Sequence, residues 1–218
     1  MPGPELASKN LLEASVPDAA RFFERADKEL AEQPGLGFRG LYASVPRRLG
    51  TAAERPAEAP ADLPQARPHW TLTDYARLWL TARALPLLPS AEQPGFVLNL
   101  FEAGEIGEQV SALRVLSALP EPERFVETGL QACRTNARDV FEAIVCENAF
   151  LAAHFPALNF NQAVMKAIFM EVSIQRIEGL EARITPELRR MAAGYASERR
   201  AAGRPVPPDA TFLSQPGD

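Results

Sequence analysis

The stretch CENAFLAAHFPALNFNQAVMKAIF, residues 146–169, decides how the chain is read. From Asn148 to Met165 it has no Asp, Glu, Lys or Arg, the longest such run in the sequence. It is no membrane span, because three Asn, one Gln and His154 interrupt it and Pro156 breaks it where a span would need about 20 apolar residues in series. Upstream of Pro156, the residues Phe141, Ile144, Val145, Leu151, Ala152 and Phe155 fall on one face at 3.6 residues per turn, predicting a helix over about 139–155. Downstream, Phe160 and Val164 open a second apolar helix, with Asn159 or Asn161 as its N-cap. The unit is two buried helices meeting at an apolar-Pro turn.

The same unit recurs outward. Leu88-Pro89 precedes a helix beginning at Phe96, and Leu119-Pro120 precedes one with Phe125. The interval is about 30–36 residues, the size of a helical-repeat unit such as HEAT. Composition agrees, since 36 Ala and 25 Leu outnumber 17 Val plus Ile, and Ala and Leu are good helix formers whereas β-branched residues favour strands. The expected fold class is all-α, with antiparallel helical hairpins packed as a HEAT-like solenoid or an irregular bundle. Over 218 residues this reads as one domain, 1–218, large enough to bury a core without disulfides or metal.

Toward the N-terminus, the first expected helix starts near Pro17 and Asp18 and carries Phe22, Phe23, Ala26 and Leu30 until Pro34, Gly35 and Gly37 break it. A short helix with Leu41, Tyr42 and Val45 ends at Gly50, kinked or shortened by Pro46. Residues 51–68, with four Pro and Leu63 as the sole large apolar residue, read as a linker or mobile loop. Thr71 to Asp74 reads as a capping box with Asp in place of Glu, and Leu72, Tyr75, Ala76 and Trp79 share the face behind it. Toward the C-terminus, Thr185 caps a long helix with Pro186 in its first turn, Leu188, Met191 and Tyr195 as its inward stripe and Gly203 after its end; 205–218 follow as a Pro-rich tail.

A net charge of -5 and a pI near 5.3 argue against a nucleic-acid binder. The densest basic stretch, Arg176 to Arg204, sets seven Arg against four Glu and reads as a solvated helix face. Cys133 and Cys146 have neither zinc-site nor redox-pair spacing and read as buried thiols of a reducing compartment. The N-terminal residues lack the pattern of a signal peptide, so the cytoplasm is the expected location. No metal or cofactor is expected, because one His with scattered carboxylates has no ligand spacing and no phosphate-binding or nucleophile-elbow turn occurs.

The candidate ligand-binding residues are the polar ones on apolar faces or beside them. Asn148 sits mid-face on the expected 139–155 helix, where an unpaired amide costs about 1–3 kcal/mol, so it either bridges helices or faces a polar cavity. His154 reads as a residue of the helix C-terminus, favoured there by the helix dipole. Lys166 shares a side with Gln162, Phe169 and Met170. A polar groove around Asn148, Asn161, Gln162 and Lys166 is the expected binding site, and the catalytic alternative is Lys166 as base or Schiff-base nucleophile with Glu142 or Glu147 as acid.

Five segments then carry a family resemblance: RTNARDVFEAI (134–144), FNQAVMKAIF (160–169), RIEGLEARITPELRRMAAGYASERRAAGR (176–204), and, less specifically, SVPRRLG (44–50) and WTLTDYARLWL (70–80). Together they resemble the EboA-domain family. The resemblance implies a small cytoplasmic helical protein of the bacterial ebo cluster, working in secondary-metabolite (natural-product) biosynthesis or trafficking beside enzymes that include a UbiA-type prenyltransferase. It implies no settled catalytic residues. The positions matching polar members of the motif are Asn136, Glu142, Asn161, Gln162, Lys166, Arg176, Arg183, Tyr195, Glu198 and Arg204. The expected function is a non-enzymatic accessory protein that binds a small metabolite or pathway enzymes, with Asn136, Glu142, Asn148, Asn161, Gln162, Lys166 and Arg176 as candidate site residues.

Overall fold

The computed structural model describes residues 3–32, 36–50 and 54–215. Among them it is all-α, with thirteen α-helices joined by 3-10 turns and short loops and no strand. Two compact units result, residues 1–131 and 132–218.

In the first unit α1 (Pro4–Ser15), α2 (Ala19–Glu32), α3 (Leu36–Leu49), α4 (Leu72–Ala84), α5 (Gln93–Glu102) and α6 (Ile106–Arg114) precede α7 (Val126–Ala132). The first helix is therefore not the one expected near Pro17. Pro4 occupies the first turn of α1, where its missing N–H costs nothing, and the helix buries Ala7, Ser8 and Leu12. The helix expected near Pro17 is α2, and it buries Phe22, Phe23, Ala26 and Leu30 as read. Pro34 and Gly35, expected as breakers, lie outside the described residues, whereas Gly37 falls inside α3.

The helix behind the Thr71–Asp74 capping box does not bury one face only. Helices α1, α3 and α6 all pack on α4, so it is buried nearly all round, Asp74 and Arg77 included. The box itself forms, with the Asp74 amide donating to Thr71 Oγ1 at 3.3 Å and the Thr71 amide to Asp74 Oδ2 at 2.8 Å. Trp79 packs on the rings of Phe22 and Phe23, with centroids 6.3 and 4.6 Å away. Fully burying an aromatic of this kind stabilises by about 1.5–3 kcal/mol.

Pro46 neither ends nor shortens α3, which runs on to Leu49. Without an N–H it leaves the Tyr42 carbonyl, four residues back, with no helical partner. The Arg77 Nε–H donates to that carbonyl at 3.2 Å. Residues 54–68 form no helix; they run through turns that bury Leu63, and the Leu72 amide donates to the Glu54 carbonyl at 2.8 Å. Residues 51–53 of the expected linker lie outside the described residues.

The second unit comprises α8 (Arg138–Val145), α9 (Phe150–His154), α10 (Ala157–Phe169), α11 (Leu180–Arg183), α12 (Pro186–Ala201) and α13 (Pro208–Ser214). Its core holds Phe141, Ile144, Phe150, Phe160, Val164, Leu188 and Leu213. The apolar-Pro turn at Phe155-Pro156 is present between α9 and α10. The single helix expected over 139–155 is instead two. Glu147 takes a left-handed conformation, φ 45°, which ends α8 and restarts the chain as α9. Neither Asn159 nor Asn161 caps α10; Pro156 holds the N-cap position and both Asn lie inside the helix.

Thr185 caps α12 as read, its Oγ1 accepting from the Leu188 amide at 3.2 Å, and Gly203 follows at φ 67°. The buried stripe is Leu188, Ala192 and Ala196; Met191 and Tyr195 lie beside it, half-exposed. The Pro-rich tail folds back as α13 and buries Ala210 and Leu213. The Asp209 carboxylate there accepts the Ile174 amide at 3.0 Å.

Candidate functional site

Three cations tie α8 to α10 and to the chain that follows it, and four of the seven candidate residues belong to or adjoin these ties. Arg176 grips Glu147 in a two-point fork, Nε to Oε1 at 2.7 Å and Nη2 to Oε2 at 3.0 Å, and reaches Glu142 Oε2 with Nη1 at 2.6 Å. Arg138 donates to Glu142 Oε1 at 2.6 Å and to the carbonyls of Met170 and Glu171 at the end of α10, where a cation also suits the helix dipole. Burial pushes the Glu142 carboxyl up, but the hydrogen bonds from Arg176 and Arg138 outweigh it and hold the group below the usual carboxylate range. The Arg176 guanidinium is raised by its bonds to Glu147 and Glu142. Lys166 donates to the carbonyls of Cys133 at 2.7 Å and Thr135 at 2.5 Å and stands over the Phe141 ring at 5.1 Å. Asn136, in the loop that Lys166 holds, is exposed. Lys166, Glu142 and Glu147, the set for an acid–base or Schiff-base reading, are thus engaged separately, the amine by backbone and the carboxylates by arginines.

Asn148 does not project from the middle of a helix face. It sits in the break between α8 and α9, 5% exposed, where its amide nitrogen donates to the Ala143 carbonyl at 2.9 Å and its Oδ1 accepts from the Phe150 amide at 3.1 Å. It satisfies backbone groups that the break would otherwise orphan. Asn161 is buried inside α10, and its Oδ1 takes no partner among the described residues. His154 ends α9 with its ring 5.0 Å from that of Phe150. Arg183 closes the same helix end by donating to the Ala152 and Phe155 carbonyls while lying over the Phe160 ring at 4.6 Å.

Gln162 is the candidate that opens onto a groove. Exposed on α10, it lines a space of about 410 Å³ together with Met165, Phe169, Met191, Tyr195 and, at the edge, Arg190 and Glu198. The floor is apolar and sulfur-rich. Phe169 is 55% exposed, and its ring meets that of Tyr195 edge-on at 4.7 Å. Met165 with Phe169 and Met191 with Tyr195 are i,i+4 pairs on α10 and α12, which is why each pair lies on one face. That spacing was visible in the sequence. On α12 the expected inward stripe holds at Leu188 but not at Met191 and Tyr195, because the small residues Ala192 and Ala196 take the buried positions and leave the larger ones at the margin.

A family model described as metabolite traffic protein EboA matches residues 15–212. The chain belongs to the EboA family. No curated protein and no solved structure matches it. The EboA match spans all seven candidate residues, the groove and most of both units, and leaves out all of α1 but its last residue. Among the described residues of this EboA chain no group of three His, Cys, Asp or Glu is placed to hold a metal ion, and no helix is long and apolar enough to cross a membrane.

Proposed function

We propose that the protein is a non-enzymatic accessory component of a bacterial secondary-metabolite pathway, binding a small metabolite in the groove between α10 and α12 on a helical-repeat scaffold. The observation that carries this reading is the edge-on pair of exposed Phe169 and half-exposed Tyr195 flanked by Met165 and Met191, with Gln162, Arg190 and Glu198 at the edge. Aromatic and thioether groups offer polarizable contact to flat or unsaturated apolar ligands, and a few polar groups at the margin orient them. The family description, metabolite traffic protein, supports the same reading. The non-enzymatic part is supported by Lys166, Glu142 and Glu147, which are committed to carbonyls and ion pairs. The protein works in the cytoplasm and passes its metabolite to or from pathway enzymes, a UbiA-type prenyltransferase among them.

The chain has four methionines, two of them in the groove, so methyl-labelled methionine NMR reads the site directly. Titration with indole and with geraniol, a flat aromatic and a prenyl alcohol, is expected to move the Met165 and Met191 methyl signals and leave Met170 in place. Unmoved Met165 and Met191 signals up to the solubility of both probes overturn the groove assignment.

A further inference from the structure

The first unit holds a second site, independent of the groove. A cavity of about 370 Å³ lies among α3, α4 and α6, at the small end of ligand-pocket sizes. Its polar wall is Thr71, Asp74, Arg77, Ser111 and Arg114; Pro46 and Val110 contribute apolar surface, and Glu105 and Glu108 also line it. Asp74 is 1% exposed, Ser111 3% and Arg77 4%.

Among the buried groups, one guanidinium is left without an ion pair. Asp74 is saturated: Oδ1 accepts from Ser111 Oγ at 2.6 Å, and Oδ2 accepts from the Thr71 amide, Thr71 Oγ1 at 3.0 Å and Arg114 Nη1 at 3.0 Å. Its one negative charge is matched by Arg114. Arg77 has no carboxylate in direct contact among the described residues. It donates to the Tyr42 carbonyl, to the Gly107 carbonyl at 2.8 Å and to Ser111 Oγ at 2.9 Å, and it lies over the Tyr42 ring at 4.8 Å. Its Nη2 takes no hydrogen bond among the described residues, and the buried Arg114 Nε has none either. A buried guanidinium is unfavourable unless it is paired, and Arg77 reaches the Asp74 carboxylate only through the shared Ser111 hydroxyl.

We infer that this cavity binds a small monocarboxylate bearing a hydrogen-bond donor beside it, the class of apolar amino acids and their hydroxy-acid analogues. A planar carboxylate suits the arginine fork, and the unbonded Arg77 Nη2 is the donor it would meet. Glu105 and Glu108, exposed and half-exposed, disfavour a multiply charged anion and accept from an amino or hydroxyl group. Pro46 and Val110 take a short aliphatic side chain.

The test is isothermal titration of the full-length protein with L-leucine, 2-hydroxyisocaproate, and isoamylamine, which is leucine without its carboxylate. The first two are expected to bind at millimolar concentration or below and the amine not to bind. Arg77→Lys removes the fork and is expected to weaken both by at least about tenfold. Ala43→Trp adds bulk at the exposed α3 residue that lines the cavity, touches none of the buried network, and is expected to abolish binding with the melting temperature unchanged. Binding of the amine as tight as leucine, no binding of either acid, or wild-type affinity in Ala43→Trp overturns the assignment. Met165 and Met191 are not in this unit, so the groove experiment and this one succeed or fail separately.

Discussion

Asn148 donates to the Ala143 carbonyl and accepts from the Phe150 amide across a break that Glu147 makes by adopting a positive φ. One amide side chain thereby closes α8 and opens α9. Asn148→Ala leaves the Phe150 amide and the Ala143 carbonyl buried with neither bond, and is expected to destabilise the protein by about 1–3 kcal/mol. Asn148→Asp keeps the acceptor for Phe150 but sets a buried carboxylate oxygen against the Ala143 carbonyl, and is expected to lose more. Urea midpoints of the three proteins check both. Gly179 illustrates the same scale from the backbone side: its φ is 75°, and a Cβ there would stand 2.8 Å from Ala152 Cβ.

At the scale of elements, α8 is joined to the chain after α10 by the Glu142–Arg176–Glu147 cluster, and the Glu147 amide donates to the Arg176 carbonyl at 2.8 Å within it. The folded Glu142 carboxyl titrates below its ordinary value of 4.5. Its contribution to stability is therefore present above the unfolded value and is lost as pH falls through the lower, folded one. Glu142→Gln is expected to cost on the order of 1 kcal/mol at pH 7, with the difference from wild type shrinking as pH drops below 4.5. Thermal melts of both proteins across that range provide the measurement, and a constant difference would contradict the ion-pair account. Helix α13 belongs to this scale too, since a Pro-rich segment that cannot extend α12 folds back to cover it.

For the molecule as a whole, burial governs thiol chemistry. Cys146 is buried and Cys133 partly so, and burial pushes both thiols up to about 12. At pH 8 the folded protein then presents on the order of a thousandfold fewer thiolates than an unfolded chain. An aromatic disulfide reagent is expected to label the native protein slowly and the denatured protein at once, with both thiols appearing together. Rapid native labelling of either would show that the fold around it opens.

Local signals in the sequence determined the helical class, the Pro-marked turns, the capping box at Thr71, the N-cap at Thr185, and the family, because helix propensity, proline's missing N–H and side-chain capping act within a few residues of themselves. The same locality explains what it left undecided. Asn148 looked like a mid-face residue because periodicity counts apolar positions and cannot register a left-handed Glu147. Asp74 was legible only as a capping-box residue and Arg77 carried no signal, because their burial comes from α3 and α6, which supply Ser111, Arg114 and the Tyr42 carbonyl freed by Pro46. The tertiary structure alone decided which charged groups share a wall, since that depends on which helices pack, and it turned a residue read as a helix kink into part of a buried arginine site.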